Sequence, residues 1–138
     1  MAEETLVKEV LTDDMIVTGS ELTRALDDAG WPVVASFWLF DAEVNGWRLV
    51  LASPTVSETG PLAAYRYVGE ALDGLNRTLP LSGLSVVAPN DPIVRALASS
   101  PYAHRSDSNG RRVSRTVVNR QFVDDAYLYR LMPVAPAA

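Results

Sequence analysis

Few side chains in this sequence can carry chemistry. His104 is the only histidine. Ser100, Ser106 and Asp107 lie close to it in the chain, so one reading makes it a general base beside a serine or an aspartate. The other reading is a loop histidine whose polar neighbours come from composition alone. A general base needs a positioned partner within hydrogen-bond reach, and the spacing supplies none. His104 is therefore the one catalytic candidate, and no catalytic constellation is assigned.

The acid pairs Asp13-Asp14, Asp27-Asp28 and Asp124-Asp125 invite a metal-binding reading. Adjacent side chains diverge on a helix and alternate across a strand, so a pair does not make one site. A two-carboxylate site would need Asp41 or Glu43 to meet an acid from elsewhere. One histidine and no cysteine leave no histidine cluster and no thiolate site. The glycines form neither a dinucleotide nor a phosphate-loop pattern, and no serine sits in a nucleophile elbow. No metal and no cofactor is expected.

Two surfaces remain as candidates. The first is an arginine cluster, Arg105, Arg111, Arg112, Arg115 and Arg120, able to bind phosphate, nucleic acid or an acidic protein. If Asn119-Arg120 is a hairpin turn, Arg115 lies opposite Asp124 and is neutralised there. That leaves Arg105, Arg111, Arg112 and Arg120 as anion-binding candidates. The competing reading is a solvated edge strand whose charges block aggregation. The second surface is Val44 with Trp47, read as the apolar tip of a hairpin. Tryptophan is favoured in interface cores, so these two are the protein-interface candidates, against the alternative that a helix covers them.

The elements that must position these groups follow from pattern. A helix starts near Thr12, a capping residue followed by Asp13 and Asp14 at the positive end of the dipole, and ends at Gly30. Gly19 is a weak point within it. Strands over 32–44 and 47–53 flank Asn45-Gly46, the strongest short hairpin signal in the chain, read as a type I′ turn. That register places Val44 opposite Trp47, Glu43 opposite Arg48 and Phe40 opposite Leu51. One face then carries Trp38, Phe40, Trp47, Leu49 and Leu51. The other carries Phe37, Leu39, Arg48, Val50 and Ala52. A helix over 61–76, a short strand over 84–88, a helix opened by Asn90-Asp91-Pro92 and strands over 112–118 and 121–131 complete the order.

The expectation is one α/β (α+β) domain in the order α-ββ-α-β-α-ββ, with a mixed sheet of about five strands and packed helices. Residues 1–11 form a lead-in, 12–132 the domain and 133–138 a Pro/Ala tail. The run Val33-Val34-Ala35-Ser36-Phe37-Trp38-Leu39-Phe40-Asp41, followed by Gly46-Trp47-Arg48-Leu49-Val50-Leu51-Ala52-Ser53, is similar to the opening hairpin of GAF-type sensory domains. The likeness stops at that hairpin and its preceding helix, and neither fold nor function is taken from it.

Composition bounds the rest. The 138 residues are 48% hydrophobic and 21% charged, as in a globular domain. An acidic start, no long apolar run and no cysteine lead to the expectation of a cytoplasmic protein without a membrane segment. Net charge is −5, with a positive balance only beyond residue 100. An acidic body opposes generic nucleic-acid binding. The leading expectation is a non-catalytic protein-binding or assembly module that self-associates through its apolar hairpin tip. An accessory binding nucleic acid or another polyanion through the arginines is second, and a small enzyme using His104 is third.

Overall fold

The computed structural model describes residues 9–79, 83–103 and 110–132. Helix α1 spans Asp13–Asp28. Thr12 Oγ1 accepts the Met15 N–H at 3.2 Å, with Asp13 and Asp14 in the first turn. The helix closes where Gly30 takes φ 77° and the Trp31 N–H reaches back to the Leu26 carbonyl at 2.9 Å. Its inner face is Thr18, Gly19, Leu22, Thr23 and Leu26.

Strands β1 (Ala35–Asp41) and β2 (Gly46–Ala52) follow. A five-residue helix, α2 (Thr55–Thr59), precedes α3 (Pro61–Gly74). Strand β3 (Leu84–Val87), helix α4 (Pro92–Ala98), and strands β4 (Arg111–Val118) and β5 (Gln121–Leu131) complete the chain. Helix α2 is unexpected from sequence. It arises where the buried Ser53 hydroxyl accepts the Thr55 N–H at 3.1 Å and turns the chain at Pro54.

The five strands found among the described residues form one mixed sheet in the order β3-β2-β1-β5-β4. Only β2 and β3 pair in parallel; the other neighbours are antiparallel. The α+β class, the five strands and the element order are as expected. Each face of the sheet packs its own core. On the first, Trp38, Phe40, Trp47, Leu49, Leu51 and Tyr129 meet α1 and α3. On the second, Phe37, Val50, Val113, Val123, Ala126 and Leu128 meet Val94 and Leu97 of α4.

The first hairpin corrects an expectation. Phe40 pairs with Trp47 and Leu39 with Arg48, so Ala42–Asn45 is a four-residue loop. Asp41 is the physical cause: its Oδ1 accepts the Glu43 N–H at 3.0 Å and starts the turn before Asn45-Gly46 is reached. Asn45 takes the left-handed conformation at φ 48° as the last loop residue. The expected pairs Val44–Trp47 and Glu43–Arg48 do not form, and the Arg48 guanidinium lies 3.8 Å from Asp41 instead. The assignment of side chains to faces survives, because each partner moves by an even number of residues.

The second hairpin has the expected register, Val118 opposite Gln121, with Asn119 and Arg120 both at positive φ. These are the backbone signs of a type I′ turn. Arg115, however, sits at φ 47°, and the regular pairing skips it. Alternation inverts there. Val113 and Val118, five residues apart, both enter the second core.

Helix α1 is tied to the sheet by polar contacts. Trp38 Nε1 donates to the Met15 carbonyl and to Tyr129 Oη, both at 3.1 Å. Tyr129 Oη in turn donates to the Ile16 carbonyl. Gly19 explains itself here: a Cβ at that position would lie 2.5 Å from Tyr129 Oη. The helix-weakening glycine is the condition for the close approach of helix and tyrosine.

Candidate binding surface

Both hairpin turns stand at the same end of the sheet, because β5 runs antiparallel to β1 and begins beside the end of β1. Residues 9–12 reach this end as well. The Glu9 N–H donates to Asn45 Oδ1 at 3.2 Å, and Trp47 Nε1 donates to the Glu9 carbonyl at 2.8 Å.

Trp47 is not the open apolar tip expected from sequence. Its side chain is 5% exposed. Phe40 meets it edge-on at 5.4 Å between ring centroids. The Arg112 guanidinium stands 5.5 Å from its ring centroid, close enough for a cation–π contact. The two sequence-level surfaces therefore touch, with one of the arginines stacked on the tryptophan.

Arg112 is fixed in place. Its Nε and Nη2 donate to the two oxygens of buried Asp125 at 2.9 and 2.7 Å, and Ser114 Oγ donates to the same carboxylate at 2.9 Å. The hydrogen bond to Asp125 is the main cause that raises the guanidinium pKa further, against the cost of partial burial. A guanidinium is protonated at any accessible pH, so this pairing does not switch. Arg112 thus covers the first hairpin with its Nε and Nη2 held by Asp125.

Among the described residues, the other candidate arginines, Arg111 and Arg120, do not converge. Arg111 and Arg120 are exposed at opposite ends of β4. Nine residues of extended chain separate them, roughly 30 Å at about 3.3 Å per residue. Arg115, exposed between them, lies at the break in alternation. His104 and Arg105 fall outside the described residues. Among the described residues, no group of three or more potential ligands is placed to hold a metal ion, and no helix is long and apolar enough to cross a membrane.

What this end of the sheet exposes is apolar. Val44, on the four-residue loop, is 72% exposed, and Val10, next in the chain to the Glu9 that bonds Asn45, is 71% exposed. Val117 and Phe122 face one another across β4 and β5 at 67% and 64% exposure. This last pair was missed from sequence. The register of the second hairpin would have shown them opposite one another; the inversion at Arg115, which turns them outward, has no sequence signal.

Between the two tips the sheet splays. The β1–β5 ladder ends at Leu39 opposite Ala126, and β5 continues beyond it toward Gln121, paired with β4. The gap is an open groove of about 420 Å³, lined in part by Leu39, Asp41, Glu43, Arg48, Phe122 and Asp124.

No protein-family model, curated protein or solved structure matches this chain.

Proposed function

We propose that this domain is a non-catalytic binding or assembly module that self-associates through the end of the sheet bearing both hairpin turns. The observation that carries the reading is the gathering of Val10, Val44, Val117 and Phe122 at that one end, each more than three-fifths exposed. Isolated surface apolar residues need no explanation, whereas a group of them marks a contact surface. Val44 keeps the contact role expected from sequence. Trp47 acts beneath the surface: its bond to Glu9 and its packing on Phe40 hold the loop and the lead-in that present Val44 and Val10.

A stable dimer buries about 800 Å² on each partner. Four apolar side chains would form the centre of such an interface, with Glu43, Arg120 and Gln121 on a polar rim. The test is sedimentation equilibrium on the wild type and on Val44→Ser with Phe122→Ser. A dimer that dissociates in the double variant, with circular dichroism unchanged, supports the reading. A wild-type monomer across the concentration range removes it.

A further inference from the structure

We infer that a cavity beside the N-terminal half of α1 is a binding site for a small aromatic amine. The cavity is distinct from the exposed tips, and its use does not depend on self-association. Three observations carry the inference.

The first is shape. The cavity is partly enclosed and measures about 180 Å³. An apolar cavity of about 150 Å³ is enough to hold benzene, so this one admits a single six-membered ring with a short arm. Trp38 of β1, Trp47 of β2, Met15 of α1 and Leu79, beyond α3, give it apolar walls. Sites for small organic molecules have this character, mostly apolar with a few polar groups.

The second is rigidity. Trp38 Nε1 donates to the Met15 carbonyl and to Tyr129 Oη, and Trp47 Nε1 donates to the Glu9 carbonyl. Both indoles are therefore held by the fold, with their N–H groups already satisfied. Walls fixed in advance lower the ordering cost of binding.

The third is the polar rim. Asp14 and Glu9 are the charged side chains among the described lining residues. Arg77 Nη1 donates to Asp14 at 2.7 Å, but its guanidinium is shared with Glu21. Among the described residues, carboxylates thus outnumber cations at the rim. Thr18, 2% exposed, also lines the cavity. Its hydroxyl donates to the Asp14 carbonyl at 2.7 Å and retains lone pairs that accept from an ammonium. The walls select an aromatic ring, and the rim selects a cation over an anion.

The experiment is isothermal titration calorimetry of the 138-residue chain at neutral pH with phenethylamine, an ammonium, and with phenylacetate, its anionic counterpart. Phenethylamine is expected to bind with a Kd of roughly 1 mM or tighter, the range open to a ligand of this size, and phenylacetate is expected not to bind. Thr18→Phe places a ring in the cavity and should abolish binding, and the smaller filling of Thr18→Leu should weaken it several-fold. Val17→Phe, on the exposed face of the same helix, should leave it unchanged. Circular dichroism shows which variants fold, and Thr18→Leu decides where Thr18→Phe does not fold. Glu9→Gln should weaken binding about threefold, as for other exposed charge contacts, whereas Glu58→Gln, at an exposed position on α2, should not. No binding of phenethylamine, equal binding of the two probes, or wild-type affinity in a folded Thr18 variant would overturn the assignment. None of these results bears on the mass of the wild-type protein, so failure here and failure of self-association are read separately.

Discussion

The two hairpins end at the same edge of the molecule and differ in what lies over them. At the first, Trp47 is sealed by the Glu9 carbonyl, the edge of Phe40 and the Arg112 guanidinium. At the second, Val117 and Phe122 stay bare. Tryptophan is the larger apolar group, yet it is the one the monomer buries. The difference lies in the backbone. Arg115 at φ 47° shifts the alternation of β4, so Val118 and Val123 enter the second core and their neighbours Val117 and Phe122 turn outward. An apolar residue at a strand end is a contact candidate only once its face is known, and one left-handed residue resets that face.

The sharpest way to break the comparison is to empty the sealed tip. Trp47→Ala should cost about 3–5 kcal/mol, the range for truncating a buried aromatic, read as a fall in the urea midpoint. A loss under about 1 kcal/mol would show that the tip is loosely packed and that the contrast between the hairpins is illusory.

The next effect concerns the inversion. A left-handed conformation in a non-glycine residue costs on the order of 1–3 kcal/mol, and β-branched residues tolerate it worst. Arg115→Val should destabilise by roughly 1–2 kcal/mol, while Arg115→Gly should be neutral or stabilising despite the loss of a charge. The same sign for both variants in chemical denaturation would exclude a left-handed residue at that position.

A smaller effect follows from Tyr129, which anchors β5 beneath α1. Burial is the main cause that raises its pKa, with the Trp38 hydrogen bond opposing and Tyr127 adding. The fold therefore favours the neutral phenol. Its contribution is complete below the unfolded value of about 10 and declines as pH rises above it, because the unfolded state ionises first. Stability followed from pH 8 to 11 should fall toward the alkaline end (~pH 10 upward), and Tyr129→Phe should flatten that part of the profile while lowering the plateau. A wild-type profile level through that range would contradict the burial of the phenol.

The smallest effect on folding is expected at the bare tip. Phe122→Ser should change monomer stability by no more than about 0.5 kcal/mol, as for other surface positions. A larger loss, measured by the same denaturation, would place Phe122 within the core.

Much of the fold was legible because it depends on local pattern. Thr12, Gly30, Pro61 and Asp91 mark helix ends by side-chain and backbone chemistry, and the element order follows from them. The second hairpin's register was readable because Asn119-Arg120 interrupts two strand-like runs. The first hairpin's was not, since Asp41 competes with Asn45-Gly46 for the turn and wins through a side-chain hydrogen bond. The surface was less legible still. Trp47 is covered by groups 38 and 65 positions away in the chain, Glu9 and Arg112, and no local pattern joins them. An arginine carries no mark of a left-handed backbone, as glycine or asparagine would, so the exposure of Val117 and Phe122 was hidden. Arg112 was assigned to an anion-binding set because the register pointed to Arg115 and Asp124, whereas the guanidinium that meets buried Asp125 reaches diagonally from the position opposite Tyr127.

The most direct test of the central claim is multi-angle light scattering on a sizing column at low and high salt, comparing the wild type with Val117→Ser plus Phe122→Ser. The account predicts a wild-type mass of two protomers that persists at high salt, as expected of an apolar interface, and a folded monomer for the double variant. A wild-type monomer at every concentration, or a double variant that keeps the dimer mass, would contradict it.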